Sequence, residues 1–343
     1  MKLTYIIPAY NASETIIDTL DSIYSQSLSK DVYEVIVVDD CSTDNTYNIV
    51  EQYAEKHYNL RLIHQIENHR QGAARNRGLA SANGEYITFV DADDRVLTGV
   101  EDALNIAERH KSDIVYCSCY HERSLTNCAL IEIDMPENST MTGVDFCEKY
   151  QHLGVFFFPW GILYRREWLQ ALSYPFVEDR QHEDRDWLAY VMCHARTVAY
   201  SKQPFYRYKF NVDSTCHSPR YSTVFDHIAS GIRHVDLAEK IQNFCPKSAN
   251  TLYNLGMAEI ARAVSLRNLT MFKWTENKKF YEKGNFGLLA EDMERLCRKY
   301  HMPLEVRMVM HYPILTKVAI LLAIPFMLCI RTMRTKKFCV KQV

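Results

Sequence analysis

The apolar run Tyr86-Ile-Thr-Phe-Val90 passes without a break into Asp91-Ala-Asp-Asp94. An apolar run of this kind reads as a buried strand, so the carboxylates stand where that strand emerges into solvent. Ionised carboxylates crowded together repel one another and are costly to desolvate. A hard divalent cation relieves both costs, because Mg2+ and Mn2+ take oxygen ligands and share their shells with substrate phosphates. A lone Asp-x-Asp is also what a solvated acidic turn looks like. The surrounding chain decides between the two.

Upstream, Leu3-Thr-Tyr-Ile-Ile7 is strand-like and is broken by Pro8-Ala-Tyr-Asn11. A helical pattern follows, with Ile16, Ile17, Leu20 and Ile23 on one face and Ser13 as its N-cap. Tyr33-Glu-Val-Ile-Val-Val38 ends in Asp39-Asp40, and the segment 41–46 turns into a second helix with Ile49, Val50 and Tyr53 inward. Leu60-Arg-Leu-Ile63 is a third strand, and Gly72-Ala-Ala-Arg-Asn-Arg-Gly78 opens a third helix that closes at Gly84. Continuous apolar runs fit parallel strands covered on both faces. Strands alternating with helices predict an α/β fold with a mostly parallel central sheet flanked by helices, its ligands bound beyond the carboxyl ends of the strands. Pro8, Asp40 and Asp91 to Asp93 all fall on that rim.

Four segments, in this order, carry a resemblance: Ile6-Ile-Pro-Ala-Tyr-Asn11, Val37-Val-Asp-Asp-Cys-Ser-Thr-Asp44, Ala74-Arg-Asn-Arg-Gly78 and Gly84 through Asp94. Together they resemble family 2 glycosyltransferases, of the kind involved in bacterial surface polysaccharide synthesis. The resemblance implies the GT-A nucleotide-sugar-binding fold and transfer of a sugar from a nucleotide donor with inversion. It places Pro8, Ala9 and Tyr10 along the nucleotide base and ribose. Asp40 accepts a hydrogen bond from the pyrimidine, while Asp39 orients the loop. Arg75 either anchors the acidic motif or approaches the diphosphate. Asp93 matches the direct metal ligand. Asp91, with Ala92 beside it, lies nearer the donor sugar and ribose and holds metal through water. The cation is Mn2+ or Mg2+.

A second acidic cluster stands at Glu183-Asp184-Arg-Asp-Trp187. Trp187, Leu188, Val191 and Met192 trace a helical apolar face, so Asp184 sits at a helix N-terminus, where the macrodipole favours the ionised carboxylate. That suits a general base, although an ordinary acidic first turn has the same pattern. By resemblance Asp184 is the catalytic base, with Glu183 in reserve and Trp187 packing on a sugar ring. Phe156-Phe-Phe-Pro-Trp160 leads into Gly161-Ile162 where the family usually carries asparagine and lysine. Trp160 either walls the acceptor cleft or packs in the core. Pro204-Phe-Tyr-Arg-Tyr208 and Ser214-Thr215 resemble a family segment after the base helix that can close over the donor, and His217 reads either as a late metal ligand or as a structural or exposed histidine.

At 343 residues and 47% hydrophobic, the chain is long enough for a domain plus an appendage. We expect a glycosyltransferase domain over 1–217, a helical region over 218–310 and an apolar, basic tail over 311–343. A net charge of -2 points away from nucleic acid as a partner. Eleven cysteines without a Cys-x-x-Cys pair, and an N-terminus that enters a strand at once, read as reduced thiols in a cytoplasmic protein. In the tail, the apolar run after Lys317 is short for a full span and contains Pro325, and basic residues follow from Arg331. It reads either as an interfacial anchor at the inner face of the cell membrane or as a buried C-terminal helix. The expected partners are a nucleotide-sugar donor, a UDP-sugar by resemblance, and a glycan or lipid-linked acceptor. The competing classes are a sugar-nucleotide-forming nucleotidyltransferase and a non-catalytic nucleotide-sugar-binding protein. Against the former, Pro8-Ala-Tyr-Asn11 is not a glycine-rich loop.

Overall fold

The computed structural model describes residues 1–124, 126–150, 158–180, 183–211 and 221–257. The chain divides into two compact units: Met1–Ser218 with Arg233–Gly256, and Pro219–Ile232 with Met257–Val343. Both acidic motifs lie in the first unit.

β1 (Leu3–Ala9), β2 (Tyr33–Asp39), β3 (Leu60–His64) and β4 (Tyr86–Phe89) form a parallel array in the order β3-β2-β1-β4. The crossovers are α1 (Ile16–Tyr24), α2 (Thr46–Ala54) and α3 (Arg70–Ser81). Every residue of β1, β2 and β4 is buried. Ile6, Ile36, Val38 and Phe89 enter one core with Ala74 of α3. Tyr5, Ile7, Val35 and Val37 enter the other with Ile16, Leu20 and Ile23 of α1. Neighbours along a strand thus alternate between two apolar layers, which is why the sequence shows unbroken runs.

The rest of the sheet mixes directions. β5 (Arg95–Val96) and α4 (Val100–His110) lead to β6 (Ile114–Ser124), which pairs in parallel with β10 (Val198–Tyr208). β9 (Ile162–Arg165) lies between β4 and β6, antiparallel to both. β7 (Asn127–Ile131) pairs with β6, while β8 (Thr140–Met141) and β5 pair with β10. Further helices among the described residues include α5 (Gly143–Tyr150), α6 (Arg166–Ala171), α7 (Asp184–His194) and α8 (Tyr221–Ile241). The α/β architecture expected from the sequence is present, and its parallel array carries the acidic rim.

Local readings shift at three places. α1 starts at Ile16 after Thr15, and no side chain caps it; the Ser13 amide instead donates to Asp44 Oδ2 at 3.0 Å. Ile17 is exposed, because Ile16, Leu20 and Ile23 already fill the packed stripe. α3 ends at Ser81 with Ala82 in extended backbone, so Gly84 lies beyond the helix, at the entry to β4. Among the described residues no helix is long and apolar enough to cross a membrane. Ser214, Thr215, His217, the region 258–310 and the tail 311–343 lie outside the described residues.

Candidate active site

The loops after β1 and β2 are stitched together before any ligand is considered. Asn11, at φ 50, accepts from the Thr43 amide at 2.8 Å and the Asp44 amide at 3.3 Å. Asp44 accepts from Ser13 and Thr46. Burial opposes its ionisation, but these bonds hold its carboxyl down at about 2. Pro8 and Ala9 complete β1 as buried residues, and Tyr10 is turned outward, 48% exposed. The Asp40 amide donates to Ala9 O at 2.8 Å, which joins the two strand ends.

Asp40 is buried. Its Oδ1 accepts from Gln65 Nε2 at 2.6 Å and from the His69 amide at 2.9 Å. Burial raises its carboxyl above the usual range against the pull of those bonds. Asp39 faces the other way: its Oδ2 pairs with His64 Nδ1 at 2.8 Å and accepts from the Ser42 amide at 3.3 Å. Asp39 is thus bonded to the loop after β2 and to the end of β3.

Arg75 joins the two acidic clusters. From α3, with only 2% of the residue exposed, it donates through Nη1 to Glu183 Oε1 at 2.6 Å and through Nη2 to Asp91 Oδ1 at 3.0 Å. Burial alone would lower the guanidinium, but Asp91 and Glu183 hold it above its ordinary range. Of the two roles read for Arg75, the structure displays the anchoring one. A planar fork suits this task, since one cation reaches two carboxylates on separate segments. The chain before α7 is also pressed onto α3. A Cβ at Gly72 would stand 2.3 Å from Val177 O, and Asn76 bonds Phe176 O, the Phe176 amide and Glu178.

The acidic turn has a wet side and a dry side. Asp91 and Asp93 are partly exposed, whereas Asp94 is fully buried and accepts from Tyr206 Oη at 2.6 Å and the Lys209 amide at 2.8 Å. Asp94 is thus not solvated but bonded behind the turn. Asp93 is raised by burial and by the charge of Asp91, and it accepts from Asn211 Nδ2 at 3.2 Å. Among the described residues no group of three or more His, Cys, Asp or Glu could hold a metal by itself. The turn nonetheless fits Mg2+ or Mn2+, which take one or two carboxylates and complete their shells with phosphate and water. Burial and the Asp91 charge both raise Asp93, and such a cation relieves both.

At the second acidic cluster, Asp184 opens α7 and Glu183 occupies its N-cap position. Burial first, and then the neighbouring Glu183 charge, push Asp184 up to about 7. The macrodipole invoked from sequence is outweighed, because a helix end contributes only about 0.3–1 kcal/mol at most surface sites. A carboxylate near neutrality is still well matched to general-base work. Glu183 is buried and held by Arg75, so it is less available than Asp184 to take a proton. Asp186 is buried against Arg233, and Asp179 pairs with His69 at 2.9 Å.

The two tryptophans call for correction. Trp187 is 1% exposed, stacked on Phe176 at 3.9 Å, with Nε1 donating to Tyr174 O at 2.9 Å. It is a core residue and offers no ring face to a sugar. α7 buries Trp187, Leu188, Ala189, Val191 and Met192 alike, so its apolar stripe is enclosed. Trp160 is also buried, stacked between Phe158 and Tyr206 with centroid distances of 4.6 and 4.7 Å. The core reading of Trp160 is the one observed. Gly161, after it, has φ +70, a backbone that glycine and asparagine tolerate best. That accounts for a glycine where the family usually carries asparagine.

Sequence reasoning missed Gln65, His69 and Thr19, which hold Asp40 or the acidic turn from elements distant in the chain. No local motif marks them.

Residues 4–172 match the family model described as Glycosyl transferase family 2. The glycosyltransferase YibD of Escherichia coli strain K12 is 31% identical over 217 residues, covering 60% of this chain and 61% of that protein. The match thus spans less than two thirds of that relative's length. The structure of Staphylococcus aureus TarS 1-349 in complex with UDP-GlcNAc superposes with a TM-score of 0.61 at 22% identity, over 93% of this chain and 89% of that one. The mannosyltransferase PcManGT of Pyrobaculum calidifontis, in complex with GDP-Man and Mn2+, superposes with a TM-score of 0.52 at 20% identity, over 78% and 75% of the two chains. These superpositions show the fold, and it is the GT-A fold. Over residues 4–172, which hold the first acidic cluster, the chain carries a glycosyl transferase family 2 domain.

Proposed function

We propose that the chain is an inverting glycosyltransferase that moves a sugar from a nucleoside diphosphate sugar, by preference a UDP-sugar, to a hydroxyl of a glycan or lipid-linked acceptor in polysaccharide assembly. The observation that carries this reading is the Arg75 bridge, which ties Asp91 of the acidic turn to Glu183 beside the base. Two chemistries, one at the leaving diphosphate and one at the acceptor hydroxyl, then share one rim. The UDP-GlcNAc complex of TarS and the GDP-Man and Mn2+ complex of PcManGT support donors of this class.

On this reading Pro8, Ala9 and Tyr10 line the base and ribose, and Asp40 accepts from the ring N–H. Ala92 lies beside the donor sugar. Asp93 and Asp91 would hold Mn2+ or Mg2+, which when bound neutralises charge on the departing diphosphate. Asp184 takes the proton of the acceptor hydroxyl as its oxygen closes on the anomeric carbon. That oxygen forms its bond on the face opposite the diphosphate while the bond to the diphosphate breaks, so the configuration inverts. Glu183, neutralised by Arg75, keeps the start of α7 in place. Holding both substrates in one cleft removes much of the entropic barrier to their meeting.

Incubating the protein with Mn2+, an acceptor and a panel of nucleotide sugars tests the reading. Acceptor glycosylation with release of nucleoside diphosphate supports it. Pyrophosphate-dependent exchange would mark a nucleotidyltransferase instead, and binding without turnover a non-catalytic binding protein. Asp93→Ala is expected to weaken UDP binding in Mn2+ about tenfold or more, or ~1.4 kcal/mol. The same variant should bind as wild type in the presence of a chelator. Calorimetry in the two buffers reads the difference, and equal losses in both would remove Asp93 from the cation site.

We further propose that the tail over 311–343 attaches the protein peripherally to an anionic cytoplasmic leaflet, a reading supported by its apolar run and basic flank. Sedimentation with anionic but not neutral vesicles, reversed by salt, is the expected result. Equal recovery with both kinds of vesicle would refute it.

A further inference from the structure

The acidic turn is pinned from behind by a single phenol. Tyr206 Oη donates to Asp94 Oδ2 at 2.6 Å and accepts from the Asp91 amide at 3.1 Å. It thereby grips both ends of the segment that presents Asp91 and Asp93. The remaining contacts close around it. The Asp94 amide donates to Asp91 O at 3.1 Å, the Lys209 amide donates to Asp94 Oδ1, and Thr19 Oγ1 lies 3.0 and 2.8 Å from the carbonyls of Ala92 and Asp94. The phenol itself has little freedom. It is fully buried and stacked on Trp160 with an interplanar angle of 7°, and its backbone pairs with Val96 of β5 and Cys119 of β6.

We propose that Tyr206 is a positioning residue that sets the spacing of Asp91 and Asp93 for a cation-bound diphosphate, an inference that rests on the donor site proposed above. A buried carboxylate is tolerated only when its lone pairs are satisfied. Without the hydroxyl, Asp94 Oδ2 and the Asp91 amide lose their shared partner, and the turn must rearrange. That rearrangement displaces the two carboxylates on the wet side. Asp40, at the end of a different strand, keeps its own partners Gln65 and His69. The nucleoside end of a donor is therefore insulated from the change.

Tyr206→Phe removes the hydroxyl and keeps the ring that stacks on Trp160. UDP binding to the full chain is measured by calorimetry with Mn2+ and again with a chelator. The variant is expected to lose about tenfold or more of the affinity seen in Mn2+ and to match wild type without the cation. Tyr200→Phe, which removes another buried hydroxyl of β10, bonded to Ser118 at 2.6 Å, should match wild type in both buffers. If Tyr206→Phe does not fold, Asp94→Asn carries the same comparison, because the effect runs through that carboxylate. Equal loss with and without Mn2+ would reduce Tyr206 to a structural role, and no loss would remove it from the site. A wild-type chain that binds no UDP in Mn2+ would overturn the donor reading, and this inference with it.

Discussion

Asp184→Asn is expected to lower the rate of transfer by about 10²–10⁴-fold, the range in which a positioned general base acts, while leaving UDP affinity in Mn2+ unchanged. Asparagine keeps the size of the side chain and cannot accept the hydroxyl proton. The wild-type rate should also carry an acidic limb. Burial and the Glu183 charge push Asp184 up to about 7, and only its unprotonated form takes a proton. The rate therefore rises as pH passes upward through about 7 and then levels off. Turnover measured from about pH 5 to about pH 9 tests both statements together. A variant that keeps the acidic limb and most of the rate would move the base elsewhere, and Glu183 would be examined next.

Arg75→Met should cost about 3–5 kcal/mol of stability, because it strands Glu183 and Asp91 without their shared cation in a largely dry site. Arg75→Lys should recover only part of this loss, since one ammonium does not reproduce a two-pronged fork. Urea unfolding of wild type and both variants reads the difference. If methionine costs less than about 1 kcal/mol, the bridge resembles an exposed ion pair and does not organise the rim. Adding Glu183→Gln to Arg75→Met should restore some stability, since the buried charge most dependent on Arg75 is then gone. Additive losses would show that the two side chains act independently.

Much of the rim was legible from short-range pattern. The apolar runs of β1, β2 and β4 announced strands covered on both faces, and the acids at their ends announced a ligand edge. Asp91, Asp93 and Asp40 stand out by their context and by resemblance to the family motifs, since an aspartate at a strand end is by itself more often a turn former or helix cap. Trp187 was misjudged for a definite reason. Helical periodicity reveals an apolar stripe but not whether a second layer covers it, and in α7 Phe176 and Tyr174 close over the indole. The expected cap at Ser13 failed likewise, because Asp44, 31 residues away, takes up that amide.

The sequence by itself determined the strands, the crossover helices and the acids at the rim, since these follow from hydrophobic period and backbone chemistry over a few neighbouring residues. Only the tertiary structure decided which acids belong together and what each is free to do. Arg75 meets Glu183 across 108 positions and Tyr206 meets Asp94 across 112. Partnerships that distant are set by how strands stack and helices pack over them, and burial then fixes which carboxylate stays paired and which is left to take a proton.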